Sequence, residues 1–155
     1  MGRHQQAVDY FQKAIRLNRN NADGYAMLGS ALNISGRPDD GMVAVQTAMR
    51  LNPHHHGWYD MHLGRGQFAL GAFAQARRTL ANVPKAKPEY PVVRVNLAAT
   101  LAVMGRQDEA RAEVAKLLEL NAGYSLGNVA KSLPYKDHVI RDRFLNALRL
   151  AELPD

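Results

Sequence analysis

The chain has 155 residues, 46% of them apolar, a net charge of +6 and no cysteine. That length and apolar fraction suffice for one domain with a real core, while the lack of cysteine excludes disulfides, thiolate metal sites and thiol catalysis. No run approaches the roughly 18 consecutive apolar residues of a membrane helix, and the polar start Met1-Gly2-Arg3-His4-Gln5-Gln6 does not fit a secretory signal, so a cytoplasmic location is expected.

Residues 2–18 read as a single helix with Ala7, Phe11 and Ala14 on one face. In Tyr25-x-x-Leu28-Gly29-x-x-Leu32 the apolar residues fall three and four apart, and Gly29 lets another helix approach closely. Ser35-Gly36-Arg37-Pro38 ends that helix. Gly36 suits a left-handed cap, and Pro38 suits the first turn of the next helix, where an N–H has no internal partner. That helix is predicted from about Pro38 to Leu51, and a turn follows at Leu51-Asn52-Pro53. Leu63-Gly64 and Gly71 frame the third unit, Lys87-Pro88 marks a further turn, and Leu97-Ala98, Leu101 and Gly105-Arg106 frame the fourth unit. Its second helix is predicted from Asp108 to Leu120, with Asp108 and Glu109 in the first turn, where the helix dipole favours them. Residues 125–133 read as a short helix stopped by Pro134. Asp137 to about Ala151 reads as a last one, with Val139, Ile140, Phe144, Leu145 and Leu148 toward the array and Arg141, Asp142 and Arg143 largely outward.

Beneath these elements lies a period. Gly2, Gly36, Gly71 and Gly105 fall 34, 35 and 34 residues apart. Ala7, Gly41, Ala76 and Ala110 follow at a constant offset, then Phe11, Val45, Leu80 and Val114, then Ala14, Ala48, Val83 and Leu117. Self-similarity at this length marks an array of helix pairs. The predicted fold is all-α: a right-handed helical-repeat superhelix with a C-terminal capping helix. The array covers residues 2–122, as a half repeat at 2–21 and repeats at 22–56, 57–90 and 91–124. Capping helices fill 125–155. One extra residue enters around His54-His55-His56.

The segments Gly24-Tyr25-Ala26-Met27-Leu28-Gly29-Ser30-Ala31-Leu32, Gly36-Arg37, Val45, Ala48 and Leu51-Asn52-Pro53 resemble the tetratricopeptide repeat family, and the resemblance spans about residues 2–122. In the third unit Asp60 and Gln67 occupy slots where that family prefers large apolar side chains. A narrower likeness joins Leu51-Asn52-Pro53-His54-His55, Trp58-Tyr59, Asn121 to Leu126, Leu133-Pro134-Tyr135-Lys136-Asp137 and Ala147 to Asp155. These look like the C-terminal repeat region of bacterial multidomain regulators, whose repeats follow a nucleotide cyclase or winged-helix domain. The resemblance implies a non-catalytic protein–protein interaction module. Its partner would be a protein or peptide, or the effector domain of the same polypeptide.

In such arrays the concave surface, lined by the first helix of each unit, carries function. The stripes are Asp23, Ala26, Ser30 and Asn33, then Trp58, Met61, Arg65 and Phe68, then Val92, Val95, Ala99 and Ala102. Asn33, Trp58, Met61, Arg65 and Phe68 are the candidate groove residues, because aromatics anchor peptides at low entropy cost and arginine pairs bidentately with carboxylates. Against this, Trp58 and Phe68 could simply fill the space between neighbouring units. Some family members clamp a peptide C-terminus with lysines, asparagines and arginine. Only Arg65 fits that set, while Ala26, Ser30, Met61, Val95 and Ala99 depart from it.

A second reading is structural. Ala7, Phe11 and Ala14 lack the first helix they would ordinarily face, and repeat arrays need caps. Self-association through this helix gives a homodimer whose groove is empty or self-filled.

Other constellations carry less. His54-His55-His56 with His62 lacks a carboxylate or cysteine to complete a metal set and reads as a solvated turn. Gly64-x-Gly66 lies inside a predicted helix with no strand before it, so it is no dinucleotide loop. Arg77, Arg78, Lys85, Lys87, Arg141, Arg143 and Arg149 lack aromatic interleaving, and nucleic acid is not expected. With no Ser-His-Asp set, phosphate loop or recognisable carboxylate pair, neither enzyme activity nor a cofactor is expected.

Overall fold

The protein is described by a computed structural model covering residues 3–83, 91–133 and 135–155. Among these residues there are nine α-helices and no strand: α1 Arg3–Leu17, α2 Ala22–Ile34, α3 Pro38–Leu51, α4 Trp58–Ala69, α5 Phe73–Ala81, α6 Pro91–Val103, α7 Gln107–Leu120, α8 Leu126–Ser132 and α9 His138–Leu150. Helices α2 and α3, α4 and α5, and α6 and α7 form antiparallel-neighbour pairs stacked into a helical-repeat superhelix, and α1 lies against α2.

The glycine period is the period of the helix stops. Gly36, Gly71 and Gly105 have φ of +85°, +77° and +77°, a region that glycine enters without a Cβ penalty. Behind each glycine, the next residue's N–H reaches back five positions: Arg37 to the Leu32 carbonyl (2.9 Å), Ala72 to Gln67 (2.8 Å) and Arg106 to Leu101 (2.9 Å). These bonds satisfy helix-end carbonyls that would otherwise lack partners. Within the first pair, Gly29 does a different job. A Cβ there would collide with Val45 Cγ2 and lie 2.7 Å from the Gly41 carbonyl oxygen, so α2 and α3 touch backbone to backbone.

Helix α1 buries Val8 against Leu28, Leu32 and Ala44, with Phe11 and Ile15 joining from the same side. Phe11 is therefore partly claimed by this cluster. The large side chains left bare on α1 are Tyr10, 69% exposed, and Leu17, 81% exposed. A second cluster joins Ala26, Val45, Ala48 and Tyr59, and a third joins Leu80, Val83 and Val93. The largest runs from Phe68 and Ala76 through α6 and α7 into the C-terminal helices.

Ser125 caps α8, its hydroxyl accepting from Asn128 N (3.2 Å), and Asp137 caps α9, its carboxylate accepting from Val139 N (2.8 Å) and Ile140 N (3.3 Å). Val139, expected to face the array, is instead 66% exposed. The buried stripe of α9 is Ile140, Phe144, Ala147 and Leu148, and Val139 falls one position off it. Arg143 is not fully outward either: its guanidinium lies 5.9 Å above the centre of the Phe73 ring. The Lys87-Pro88 turn, Lys85 and Pro134 lie outside the described residues.

The C-terminal segment does more than close the end of the array. Helix α9 runs along α6, and its base is tied down by the Leu126 N–H donating to the Pro154 carbonyl (2.7 Å) and by the Arg111–Glu152 ion pair (2.9 Å). Between α8 and α9 the chain reaches across to the far end of α2, where Lys136 N donates to the Ile34 carbonyl (2.9 Å). That carbonyl belongs to the last turn of α2, whose oxygens have no partner within the helix. Among the described residues, no helix is long and apolar enough to cross a membrane.

Candidate functional site in the groove of α2, α4 and α6

Helices α2, α4 and α6 lie side by side, and their shared face holds an unusual density of buried polar groups: Ser30, Asn33, His62, Arg65, Asn96 and Thr100. Asn33 Nδ2 donates to the His62 carbonyl (2.9 Å), bridging α2 to α4. Its Oδ1 is buried without a hydrogen-bond partner among the described residues, enclosed where Gly41 and Gly66 leave room. Arg65 Nε donates to Asn96 Oδ1 (3.3 Å), bridging α4 to α6, while Asn96 Nδ2 donates to the Val92 carbonyl (2.7 Å). Thr100 Oγ1 donates to the Asn96 carbonyl (2.7 Å). Each pair of adjacent first helices thus shares one asparagine bridge.

Burial governs the electrostatics here. It lowers the Arg65 pKa, although the guanidinium remains the local cation, and among the described residues no carboxylate pairs with it. His62 is pushed down to about 3, by burial first and then by the neighbouring Arg65, so its imidazole is neutral at ordinary pH. Its Nδ1 has no hydrogen-bond partner among the described residues. Burial likewise raises the Tyr135 hydroxyl, which lies within electrostatic reach of Arg65 and has no hydrogen-bond partner among the described residues.

The floor is covered by the protein's own C-terminal segment. Phe144 of α9 meets Phe68 edge to face, with ring centres 5.3 Å apart and planes at 82°, and Tyr135 lies 6.0 Å from Phe144. Phe73 joins this group, its ring centre 5.3 Å from that of Phe68. Phe68, Tyr135 and Phe144 therefore cluster, within electrostatic reach of Arg65.

The remaining groove candidates sit to the side. Trp58 is half-buried, edge-on to Tyr59 (4.4 Å) and His62 (5.6 Å). Met61 is half-buried beside Leu80, Val83 and Val93. Tyr59 O–H donates to Asp23 (2.5 Å), and burial, with Asp23 adding to it, pushes the Tyr59 hydroxyl up to about 12. His55 stacks on Tyr59, with ring centres 5.1 Å apart and planes at 9°, and its Nδ1 lies 3.6 Å from Asp60. The three-histidine turn is thus not wholly solvated: His54 and His56 are exposed, but His55 is part of the packing.

Asn96, Tyr135 and Phe144 did not emerge as groove residues from the sequence. Asn96 and Thr100 carry a faint signal, as polar residues four apart within a helix that is apolar but for them and Arg94. Tyr135 carries none, because its position depends on where the α8–α9 connection travels.

Two tetratricopeptide repeat models match the chain, one over residues 10–42 and one over residues 67–127, together more than half of its length. The chain belongs to the tetratricopeptide repeat family. Among solved structures it is similar to TTC0263, a thermophilic tetratricopeptide repeat protein of Thermus thermophilus, at 20% identity and a TM-score of 0.70, covering 96% of this chain and 92% of that one. It is also similar to MamA, at 19% identity and a TM-score of 0.67, over 96% of this chain and 86% of that one. YrrB, described as a tetratricopeptide repeat protein with an unusual peptide-binding site, aligns at 21% identity and a TM-score of 0.62, over 96% of this chain and 76% of that one. At these identities the likeness concerns the fold alone. No curated protein matches the chain.

Proposed function

We propose that the protein is a non-catalytic interaction scaffold that holds a protein or peptide segment in the groove bordered by Asn33, Trp58, Met61, Arg65 and Phe68. One observation supports this reading: the first helices already seat a length of this chain's own polypeptide, Lys136 N donating to the Ile34 carbonyl of α2 and the Phe144 ring lying edge-on to Phe68 of α4. A surface that seats one extended segment has the shape and the donors to seat another. The described peptide-binding site of YrrB lends support from a similar fold. The likeness of the C-terminal residues to those of bacterial multidomain regulators favours a cytoplasmic signalling setting, with the partner supplied by an effector domain of the same polypeptide. The test compares partner capture by the wild-type chain and by Trp58→Ala/Arg65→Met, with helicity measured in parallel. Retention of every captured partner by the folded double variant rules the groove out.

A second reading rests on α1. Tyr10 and Leu17 are bare and seven residues apart, with the half-buried Ala7 and Ala14 beside them on the same helical face and Phe11 at its edge. This stripe suits self-association. Sedimentation at several concentrations tests it: Tyr10→Glu/Leu17→Lys abolishes a dimer formed this way and leaves a dimer formed elsewhere intact.

A further inference from the structure

Among the described residues no helix covers the outer face of α1, although α1 stands where the second helix of a unit stands; it packs on α2, with Ala44 of α3 at the edge. In later units that position meets a first helix bearing a glycine. A Cβ at Gly29 of α2 would collide with Val45, and one at Gly64 of α4 would lie 2.7 Å from Leu80 Cδ2. The corresponding residue of α1 is Phe11, which is only half-buried, as are Ala7 and Ala14. Tyr10 and Leu17 project further, 69% and 81% exposed. Ala7, Tyr10, Ala14 and Leu17 follow one another at spacings of three, four and three, so small and large side chains alternate along one face. That relief of knobs and holes receives a second helix. Binding to a lipid surface scales with the apolar area inserted, and on α1 only Tyr10 and Leu17 are both large and exposed.

The charge around this stripe is one-sided. From Arg3 to Arg19 the chain carries four cations, Arg3, Lys13, Arg16 and Arg19, against the single carboxylate of Asp9, which accepts from Gln5 Nε2 (2.8 Å). Among the described residues none of the four cations forms an ion pair. Lys13 falls three residues after Tyr10 and four before Leu17, so it borders both on the helix surface, and Arg16 follows three positions on. Two copies joined through this stripe bring one cationic rim against another. A helix with carboxylates along its rim finds attraction at the same positions.

We infer that the outer face of α1 docks an acidic amphipathic helix of a partner protein. That helix has a glycine or alanine where it crosses Phe11, larger apolar side chains that fill the holes at Ala7 and Ala14, and carboxylates bordering Lys13 and Arg16. It supplies α1 with the kind of neighbour that α2 gives α3. The inference rests on the exposed stripe of the second reading above, assigns it a different occupant, and is independent of the groove.

Two labelled synthetic helices of about 21 residues serve as probes, each with alanine and leucine alternating along one face. One carries glutamate at the flanking positions, and its twin carries lysine there. Fluorescence anisotropy with the full chain should give an affinity for the glutamate helix at least about tenfold above that for the twin, declining as salt rises. Lys13→Glu/Arg16→Glu, at exposed positions with no ion pair to lose, should reverse the preference. Tyr10→Ser/Leu17→Ser should weaken the glutamate helix at least about tenfold while the circular dichroism spectrum stays unchanged. Equal binding of the twins overturns the inference, and so does a preference that survives the charge reversal. A chain that sediments as a dimer through Tyr10 and Leu17 and takes up neither helix overturns it too, and leaves the second reading standing. Binding of the glutamate helix by a chain that stays monomeric at every concentration upholds the inference and ends self-association. A monomeric chain that binds neither helix ends both. Capture by phosphatidylglycerol vesicles through Tyr10 and Leu17, without binding of the glutamate helix, overturns the inference in favour of a lipid surface.

Discussion

Phe68 of α4 and Phe144 of α9 meet edge to face with ring centres 5.3 Å apart, and both are almost completely buried. Seventy-six positions of chain separate them, so this contact exists only because the C-terminal helix turns back along the array instead of extending it. Edge-to-face geometry sets the positive rim of one ring against the negative face of the other, which adds to the area both bury. The pair therefore couples the groove to the C-terminal segment.

Truncating one ring should expose that coupling. Phe144→Ala removes a fully buried aromatic and should cost about 3–5 kcal/mol, measured by urea denaturation followed by circular dichroism. Val139→Ala, on the same helix but facing water, should stay within about 0.5 kcal/mol of wild type. Equal losses for the two would mean that α9 does not sit on α6 and α4 as described.

The repeat glycines divide into two mechanisms that substitution can separate. Gly36 has φ +85° and open space around its missing Cβ, so Gly36→Ala should cost only the backbone penalty, about 1–2 kcal/mol. Gly36→Asn should recover part of it, because asparagine tolerates the left-handed region. At Gly41 a Cβ would collide with Asn33 Oδ1 and lie 2.9 Å from the Gly29 carbonyl oxygen, atoms with little freedom to retreat. Gly41→Ala should cost about 1–3 kcal/mol through overpacking, with no rescue from any residue that tolerates positive φ. Thermal melts of the three variants decide it, and Gly36→Asn melting no higher than Gly36→Ala contradicts the backbone account.

This division explains how much the sequence disclosed. The stops at Gly36, Gly71 and Gly105 and the close approach at Gly29 are local demands, met by residues within a few positions, and they yield to inspection of spacing. So does the boundary of α3, predicted from about Pro38 to Leu51 and found at Pro38–Leu51. The groove residues are another matter. Spacing grouped Asn33, Arg65 and Phe68 as one set, but it could not show that Asn33 would be enclosed between Gly41 and Gly66, or that Phe144 would return from α9 to cover Phe68. Periodicity assigns a face to a helix. It does not say what arrives there from elsewhere in the chain. Val139 failed for a smaller reason, since one position off the stripe of Ile140 and Phe144 is enough to reach solvent.

His62 should make stability depend on acid. Its pKa is lowered to about 3 in the folded protein, from 6.5 when unfolded, so between those values the unfolded chain binds more protons than the folded one. Stability therefore falls as pH drops below about 6.5, and lowering pH from 7 to 5 should cost roughly 2 kcal/mol from this group. Asp60, half-buried on the same helix, has a raised pKa and acts with the opposite sign, gaining stability as pH falls. The difference between wild type and His62→Gln isolates the imidazole. Urea midpoints for both at pH 7 and pH 5 should show a smaller acid loss in the variant, and parallel shifts would mean that His62 is solvated and not buried beside Arg65.

Arg65 offers the sharpest separation of stability from function. A buried guanidinium pays heavily for lost water, and a single 3.3 Å bond to Asn96 returns little of that cost. Replacing buried charge by an apolar side chain of similar length is often neutral, or stabilising by about 1–4 kcal/mol. Methionine matches the stem of arginine and adapts to irregular space. Arg65→Met leaves Asn96 Oδ1 without its donor, which offsets part of the gain. The net expectation is a protein at least as stable as wild type by urea denaturation, yet one that no longer retains a partner in the groove. A loss of about 3 kcal/mol or more would show instead that Arg65 is held by an anion and serves the fold. A stable variant that still captures the partner would show that the guanidinium plays no part in recognition.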